Sequence, residues 1–278
     1  MCSFSVCSLP SSLSLAAPQL QALAMSGVMD IKGLGPALGA MTNLTSLDTV
    51  NSCVDLGCLP GSVTTLSCGP LWPSHAEEFS LYPGDAEATF LNLERLQRLE
   101  ELRMYSAVLK LQHPAQLDLL YRLPKLRLLL LHNPYAQVDS SSTEIAINTA
   151  KMTQLTALEI FDGYGNEPPP LPPSLLHLSV EFAPMFGGDC YPLSIGASGL
   201  HLSTVPKLRE LELVGVDLQG DLRQLEGLTA LEYLDMSRST NAAGINFAAL
   251  AGTLRTLVLS GTGLTAADVA LPATHITF

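Results

Sequence analysis

The sequence predicts an α/β solenoid built around a parallel β-sheet of about twelve short strands. A template of three apolar residues, clearest in Leu155-x-x-Leu158-x-Ile160, recurs from one end of the 278-residue chain to the other. The segments between copies are either helical in pattern or rich in proline. With 47% hydrophobic and 14% charged residues, the chain has the apolar content that a long stacked core requires.

The template has the geometry of a short strand with one buried side. Its second and third apolar residues are two positions apart, so their side chains point to the same side of a strand. Stacking such strands in parallel buries this side, which a single copy could not do alone. We call one copy with its strand a rung. The twelve predicted rungs begin at Met1, Leu20, Leu44, Val63, Leu99, Leu126, Leu155, Leu175, Leu208, Leu231, Leu254 and Ala273.

Helix signals occur in the longer connecting segments. Ser141-x-x-Glu144 has the form of a capping box and predicts a helix that supplies Ile145 and Met152 to the core. Thr265-x-x-Asp268 has the same form near the end of the chain.

Two further connecting segments also predict helices. Pro114 stands where a first-turn proline belongs, and Asp221 is a suitable N-cap. Leucines at helical spacing follow both residues. They are Leu117, Leu120 and Leu123 after the proline, and Leu222, Leu225 and Leu228 after the aspartate.

The short connecting segments carry Leu-Pro just before a strand, in residues 57–68, 169–180 and 270–278. Proline lacks an amide donor and disfavours helix in the residue before it. These segments therefore predict extended return limbs between adjacent rungs.

The phasing of the template predicts a single solenoid over residues 1–278, with irregular insertions near 69–83 and 183–199. Terminal repeats normally shield the core with a polar surface, yet strand motifs reach both ends of this chain. We therefore expect the chain to be a fragment of a longer array.

The repeated motif resembles that of the leucine-rich repeat family. Its form LxxLxLxx[N/C/S/T]xL is clearest in LRTLVLSGTGL, where Thr262 occupies the usual asparagine position. Other rungs have Ala107, Pro134, Gly163, Val216 or Ser239 there, so a regular asparagine ladder is absent. The repeats look like irregular plant or algal repeats mixed with short LPxxLxxL repeats.

The resemblance implies a horseshoe with a parallel sheet on its concave side and mixed helical or extended proline-rich segments on its convex side. It also implies binding of other proteins on the concave sheet, with catalysis by the repeats being rare.

Charge and motif content exclude several functions. The formal net charge is −12, which disfavours nucleic acid as a partner because a binder must neutralise phosphates with clustered Lys and Arg. The six cysteines form no Cys-x-x-Cys pair, the six histidines are scattered, and no hydrolase or phosphate-loop motif occurs. We expect no cofactor, no metal site and no enzymatic activity.

The cellular location is predicted only from indirect features. The longest apolar runs are far shorter than the roughly 20 residues of a membrane span. The first 24 residues lack a basic segment and contain Pro10 and Pro18, which disfavours a cleaved signal peptide. With cysteines that fit reduced thiols, we expect a cytoplasmic location, including association with the cytoskeleton.

The candidate binding residues face away from the inward leucines. On three consecutive rungs the position after the third apolar residue carries a ring, and neighbouring rungs lie about 4.8 Å apart, so these rings are expected to form a row. Acidic residues flank the row. The predicted partner-binding set on the concave face is Arg103, Tyr105, Leu130, His132, Glu159, Phe161, His177, Glu181, Glu210, Glu212, Tyr233 and Asp235.

Two interpretations of this set are open. In the first, an aromatic centre with an acidic shoulder binds a basic or apolar patch of another protein. In the second, aromatic residues simply pack well on a strand surface and the carboxylates keep it soluble. The first predicts a non-enzymatic interaction scaffold or adaptor. The alternatives are a ligand-sensing region of a receptor, or the substrate-recognition arm of a larger regulatory enzyme such as a ubiquitin ligase.

Overall fold

The computed structural model describes residues 17–24, 35–50, 59–69, 96–105, 109–111, 117–131, 135–138, 143–161, 168–182, 190–196, 199–269, 271 and 275–278. The chain divides into two compact units, Met1–Ile147 and Asn148–Phe278. Each unit contains a ladder of short parallel strands that follows the predicted template. The continuity of one solenoid over 1–278 stays a prediction.

The ladder of the first unit has five strands, paired in parallel in chain order. They are β1 (Ala22–Ala24), β2 (Ser46–Val50), β3 (Thr65–Gly69), β4 (Glu101–Met104) and β6 (Leu128–Leu131). The helices are α1 (Gly35–Ala40), α2 (Leu117–Tyr121) and a 3-10 helix at Ala17–Gln19. A second, three-stranded sheet contains β5 (Leu109–Leu111), β7 (Tyr135–Val138) and β8 (Thr143–Ala146), and β7 and β8 are antiparallel.

The ladder of the second unit has six parallel strands. They are β9 (Ala157–Phe161), β10 (His177–Glu181), β12 (Glu210–Val214), β14 (Tyr233–Asp235), β15 (Thr256–Val258) and β16 (His275–Thr277). A two-stranded parallel sheet pairs β11 (Tyr191–Ile195) with β13 (Val216–Gly220). The 3-10 helices are Thr149–Lys151, Leu202–Thr204, Leu222–Gly227, Ala242–Gly244 and Phe247–Leu250.

The core of the second unit is a column of leucines stacked one per rung. The strand register pairs the second apolar residue of each template with its equivalent in the next rung. Every member of this column is 0% exposed, and full burial of a leucine contributes about 1.5–3 kcal/mol. The leucine column comprises Leu158, Leu178, Leu211, Leu234 and Leu257.

Eleven of the twelve predicted rungs are confirmed as ladder strands, from β1 to β16. The twelfth, at Met1, Phe4 and Val6, lies outside the described residues. The match holds because each rung carries its own local signal, and the buried face is specified separately at each strand.

One carbonyl at the entrance to each rung joins it to the next. Thr156 O accepts hydrogen bonds from the amides of Leu176 (2.9 Å) and His177 (3.0 Å). Leu176 O in turn accepts from the amides of Arg209 (2.8 Å) and Glu210 (3.0 Å). These shared acceptors hold successive strands in the same register before strand pairing begins.

The proline-rich segments are extended return limbs, as predicted. Their described parts contain no helix, and Leu59 and Leu171 point into the core with 7% and 3% exposure. A serine secures each limb: Ser62 Oγ donates to Leu44 O and Ser174 Oγ donates to Leu155 O, both at 2.7 Å. The two short rungs therefore use the same local solution.

The helix predicted to begin at Ser141 is wrong. Residues Thr143–Ala146 form β8, which pairs with β7, and only a three-residue 3-10 helix, Thr149–Lys151, follows. The β-branched residues Thr143 and Ile145 favour an extended chain when a partner strand is available. Met152 is buried as expected, with 2% exposure.

The other helix predictions had different outcomes. Helix α2 is confirmed, and its leucine stripe ending at Leu123 is buried. Residues Leu222–Gly227 form a 3-10 helix, and the Asp221 carboxylate accepts from Arg223 Nε at 2.8 Å instead of capping it. The Asp268 carboxylate accepts from both the amide and the hydroxyl of Thr265, but a turn follows.

The region near 183–199, expected to be an irregular insertion, contains the regular strand β11. Leu193 and Ile195 are 5% and 2% exposed, so this strand contributes to the core. Its partner β13 directly follows β12, and this pairing is separated by 25 residues in sequence, from Tyr191 to Val216. The other predicted insertion, near 69–83, lies outside the described residues beyond Gly69.

We expect truncation of a ladder leucine to destabilise the protein strongly. Leu129→Ala, Leu158→Ala, Leu211→Ala and Leu234→Ala should each lower the free energy of unfolding by about 2–5 kcal/mol, because each removes a fully buried side chain and leaves a cavity. Chemical denaturation measures this.

Leu176→Ala is the matched control, because Leu176 is 38% exposed and precedes β10. It should change the free energy of unfolding by well under the core substitutions. Equal small effects at all five positions would contradict the assignment of the inward face.

Candidate binding surface

The ladder of the second unit has one face covered by the core and one face that carries polar and aromatic side chains. On β9 and β12 buried residues alternate with partly exposed ones along the strand. We call the side opposite the leucine column the open face. Its predicted binding residues are Glu159, Phe161, His177, Glu181, Glu210, Glu212, Tyr233 and Asp235.

The strand register brings these side chains into columns. Ser179 lies between Glu159 on one side and Glu212 on the other, and Glu212 lies beside Asp235. In the neighbouring column, His177, Glu210 and Tyr233 follow one another in the same way. Adjacent strands are about 4.8 Å apart, so the carboxylates of Glu212 and Asp235 are close neighbours of like charge.

Hydrogen bonds within the open face orient its carboxylates. Ser179 Oγ donates to Glu212 Oε2 at 2.9 Å, and Ser179 is itself 3% exposed. His177 Nδ1 lies 3.0 Å from Glu210 Oε2. The acids are thus held in place by neighbouring rungs.

Asp235 is the most fully bonded acid of the face. Its Oδ1 accepts from the amide of Ser237 at 2.7 Å and from the Ser237 hydroxyl at 2.5 Å. The phenol of Tyr233 donates to its Oδ2 at 3.4 Å. Burial, followed by the charges of Asp235, Glu212 and Glu210, raises the pKa of Tyr233 above its ordinary value of 10.0. The phenol therefore reports a negative potential on this face.

Arg238 and Ser237 belong to the open face and were not predicted from the sequence. Arg238 Nη2 donates to Glu181 Oε1 at 3.1 Å, across a separation of 57 residues. The signal that could have revealed Arg238 is the 23-residue step, because glycine occupies the equivalent positions 215 and 261.

The candidate residues of the first unit are placed less uniformly. Arg103 forms an ion pair with Glu101 at 2.6 Å, and Tyr105 is half-buried next to them. Leu130 is 3% exposed, so this member of the predicted set is buried and offers almost no surface to a partner. His132 lies outside the described residues, and the row of three rings stays a prediction.

Catalytic and metal-binding chemistry finds little support in the described part of the chain. Among the described residues, no group of three or more His, Cys, Asp or Glu side chains is arranged to hold a metal ion. Burial, with a smaller contribution from Asp48, raises the pKa of the Cys68 thiol to about 12, so it is protonated at neutral pH. A depression lined by Gly220, Asp221, Leu222, Arg223 and Gly244 shares no residue with the open face.

No protein-family model and no curated protein matches the chain. Among solved structures, the functional domain of InlJ from Listeria monocytogenes is similar, with a TM-score of 0.50 and 15% identity over 87% of this chain and 44% of that chain. The internalin inlF from the same organism has a TM-score of 0.45 at 15% identity, covering 95% of this chain and 84% of that one.

The TLR13–ssRNA13 complex contains a third similar chain, with a TM-score of 0.49 and 15% identity over 88% of this chain and 36% of that one. The likeness to InlJ and the parallel ladders show that the fold is a leucine-rich-repeat solenoid. The chain spans less than half the length of the InlJ chain that it matches. Across the described residues, the helices are too short or too polar to cross a membrane.

We expect Glu212→Gln to lower the pKa of Tyr233 towards 10.0, because the substitution removes a nearby negative charge that favours the neutral phenol. Absorbance of the phenolate during a pH titration measures this. Since the chain has seven tyrosines, the titration of Tyr233→Phe must be subtracted to isolate the signal. A Tyr233 pKa unchanged by Glu212→Gln would contradict the close approach of the two side chains.

Proposed function

We propose that this chain is a non-enzymatic binding module, of the scaffold or adaptor kind, that holds a basic surface of a partner protein on its open face. The observation that carries the proposal is a group of five carboxylates on four neighbouring strands, oriented by hydrogen bonds from adjacent rungs. The five are Glu159, Glu181, Glu210, Glu212 and Asp235.

The arrangement of these acids supports binding over a purely solubilising role. Like charges on directly neighbouring strands oppose folding, and the Glu212–Asp235 neighbours illustrate this. Carboxylates that only keep a surface soluble have no need of fixed directions, whereas Ser179 and Ser237 hold Glu212 and Asp235 in place. A basic partner would relieve the repulsion that the fold maintains.

Phe161 and Tyr233 supply the apolar part of the surface. Both are partly exposed, and a partly exposed ring can be desolvated by a partner without the entropy loss of a long flexible chain. The surrounding acids would steer a basic partner towards them. The same negative field disfavours phosphate-rich ligands, so a protein is the expected partner.

Selection from a random peptide library displayed on phage tests the proposal, because such a library requires no candidate partner. The wild-type chain should enrich peptides rich in Lys and Arg. A variant with Glu210→Gln, Glu212→Gln and Asp235→Asn should lose that enrichment, because it removes three charges from the open face.

The matched control carries Asp221→Asn, Glu226→Gln and Asp268→Asn, which remove three acids outside the open face. It should enrich the same peptides as the wild type. If wild type, variant and control all select the same sequences, the open face is not the binding site.

Phe161→Ala should weaken binding of a selected peptide by about 30-fold, corresponding to roughly 2 kcal/mol for loss of a central aromatic anchor. Asp48→Ala, on β2 of the first unit, should leave the affinity unchanged. Calorimetric titration of both variants, with their unfolding midpoints, provides the comparison. Equal affinity for the wild type and a folded Phe161→Ala would place the binding site elsewhere.

A further inference from the structure

Three successive rungs of the second unit leave their strands through a left-handed residue. Gly215 follows β12 with φ of 69°, Arg238 follows β14 with φ of 60°, and Gly261 follows β15 with φ of 78°. Each is 23 residues from the next, so the three positions are equivalent in the repeat. Two of the three carry glycine and the middle one carries arginine.

The repeat requires the left-handed conformation at this place. The amide of Gly215 donates to Ser237 O at 2.9 Å, and the amide of Arg238 donates to Ser260 O at 2.7 Å, so each turn is bonded to the rung that follows. Residues with a Cβ disfavour positive φ for steric reasons, whereas glycine adopts it readily. Glycine would therefore satisfy the backbone at 238 better than arginine does.

The side chain of Arg238 extends over the open face. Its guanidinium reaches Glu181 on β10, although β12 lies between β10 and β14 in the sheet. The side chain is 52% exposed. A guanidinium has five donors, and among the described residues Glu181 is its one hydrogen-bond partner.

We propose that Arg238 is a specificity-determining residue that binds a carboxylate of the partner on the otherwise acidic open face. The inference rests on the proposed function of that face. The partner segment then carries an acidic side chain among its basic ones, and the acid pairs with Arg238 while the basic residues meet the surrounding carboxylates. An arginine fork recognises a carboxylate through two parallel hydrogen bonds.

Arg238 also selects against the wrong partners. A segment with basic residues alone would place a cation against the guanidinium, and such like-charge contacts lower the affinity of unsuitable partners. This gives the face a preference between basic segments that a uniform acidic patch would lack.

The test uses Arg238→Gly in the full chain. Because glycine relieves the left-handed strain, the unfolding temperature should stay the same or rise by about 2–4 °C. The same variant should bind the wild-type-selected phage peptides that contain both acidic and basic residues on the order of tenfold more weakly. A residue with only a structural role would not give opposite changes in stability and affinity.

Two further variants complete the comparison. Arg238→Asn removes the charge with a residue that tolerates positive φ, and it should reproduce the loss of affinity. Arg223→Gln removes an arginine paired with Asp221 outside the open face, and it should leave the affinity unchanged.

The outcomes separate the two proposals. If wild type selects basic peptides with an acidic residue and Arg238→Gly selects basic peptides without one, the assignment of Arg238 is supported. If both select the same peptides and bind them equally, the assignment is overturned and the proposed function stands. If the wild type shows no preference for basic residues, the proposed function itself fails. Unfolding of both Arg238→Gly and Arg238→Asn would make the residue structural and also overturn the assignment.

Discussion

The in-register stacking of one leucine per rung is the constraint on which the rest of this structure depends. Leu178 must lie on Leu158, and Leu211 on Leu178, or the buried side of each strand loses its partner. A slip of one residue would turn every inward side chain to the open face. Parallel pairing with this register buries one face and leaves the other to carry side chains that no core interaction selects. The open face is therefore available for function because the leucine column alone holds the ladder.

The return segments vary because the ladder constrains only their ends. A short limb can be proline-rich and secured by a serine, as at Ser62 and Ser174, whereas longer limbs form 3-10 turns or a strand such as β11. The rungs were predictable from sequence because each carries the template within about ten residues. Strands β5, β7, β8, β11 and β13 were not, because their pairing partners are distant and they lack the template. The Ser141 capping signal failed for the same reason, since strand pairing overrode a local preference.

For the binding surface, the period of two predicted which side chains leave the core side but not what lies next to them. Glu212 and Asp235 became neighbours as the template implies, whereas Leu130, at an equivalent outward position, is buried. Arg238 escaped prediction because its side chain reaches over a neighbouring strand from a left-handed turn. Comparing equivalent positions of successive rungs shows such a residue directly, as an arginine between two glycines. In repeat proteins, departures from the repeat identify residues that the fold itself does not require.

Nuclear Overhauser contacts between leucine methyl groups would test the leucine column most directly. With isotope-labelled methyls, contacts should connect Leu178 with Leu211, Leu211 with Leu234, and Leu234 with Leu257, since neighbouring rungs are about 4.8 Å apart. No contact should connect Leu178 with Leu234, which are two rungs and therefore roughly 10 Å apart. Contacts that skip a rung, or that join Leu211 to an outward neighbour of Leu234 instead, would contradict the register on which the account rests.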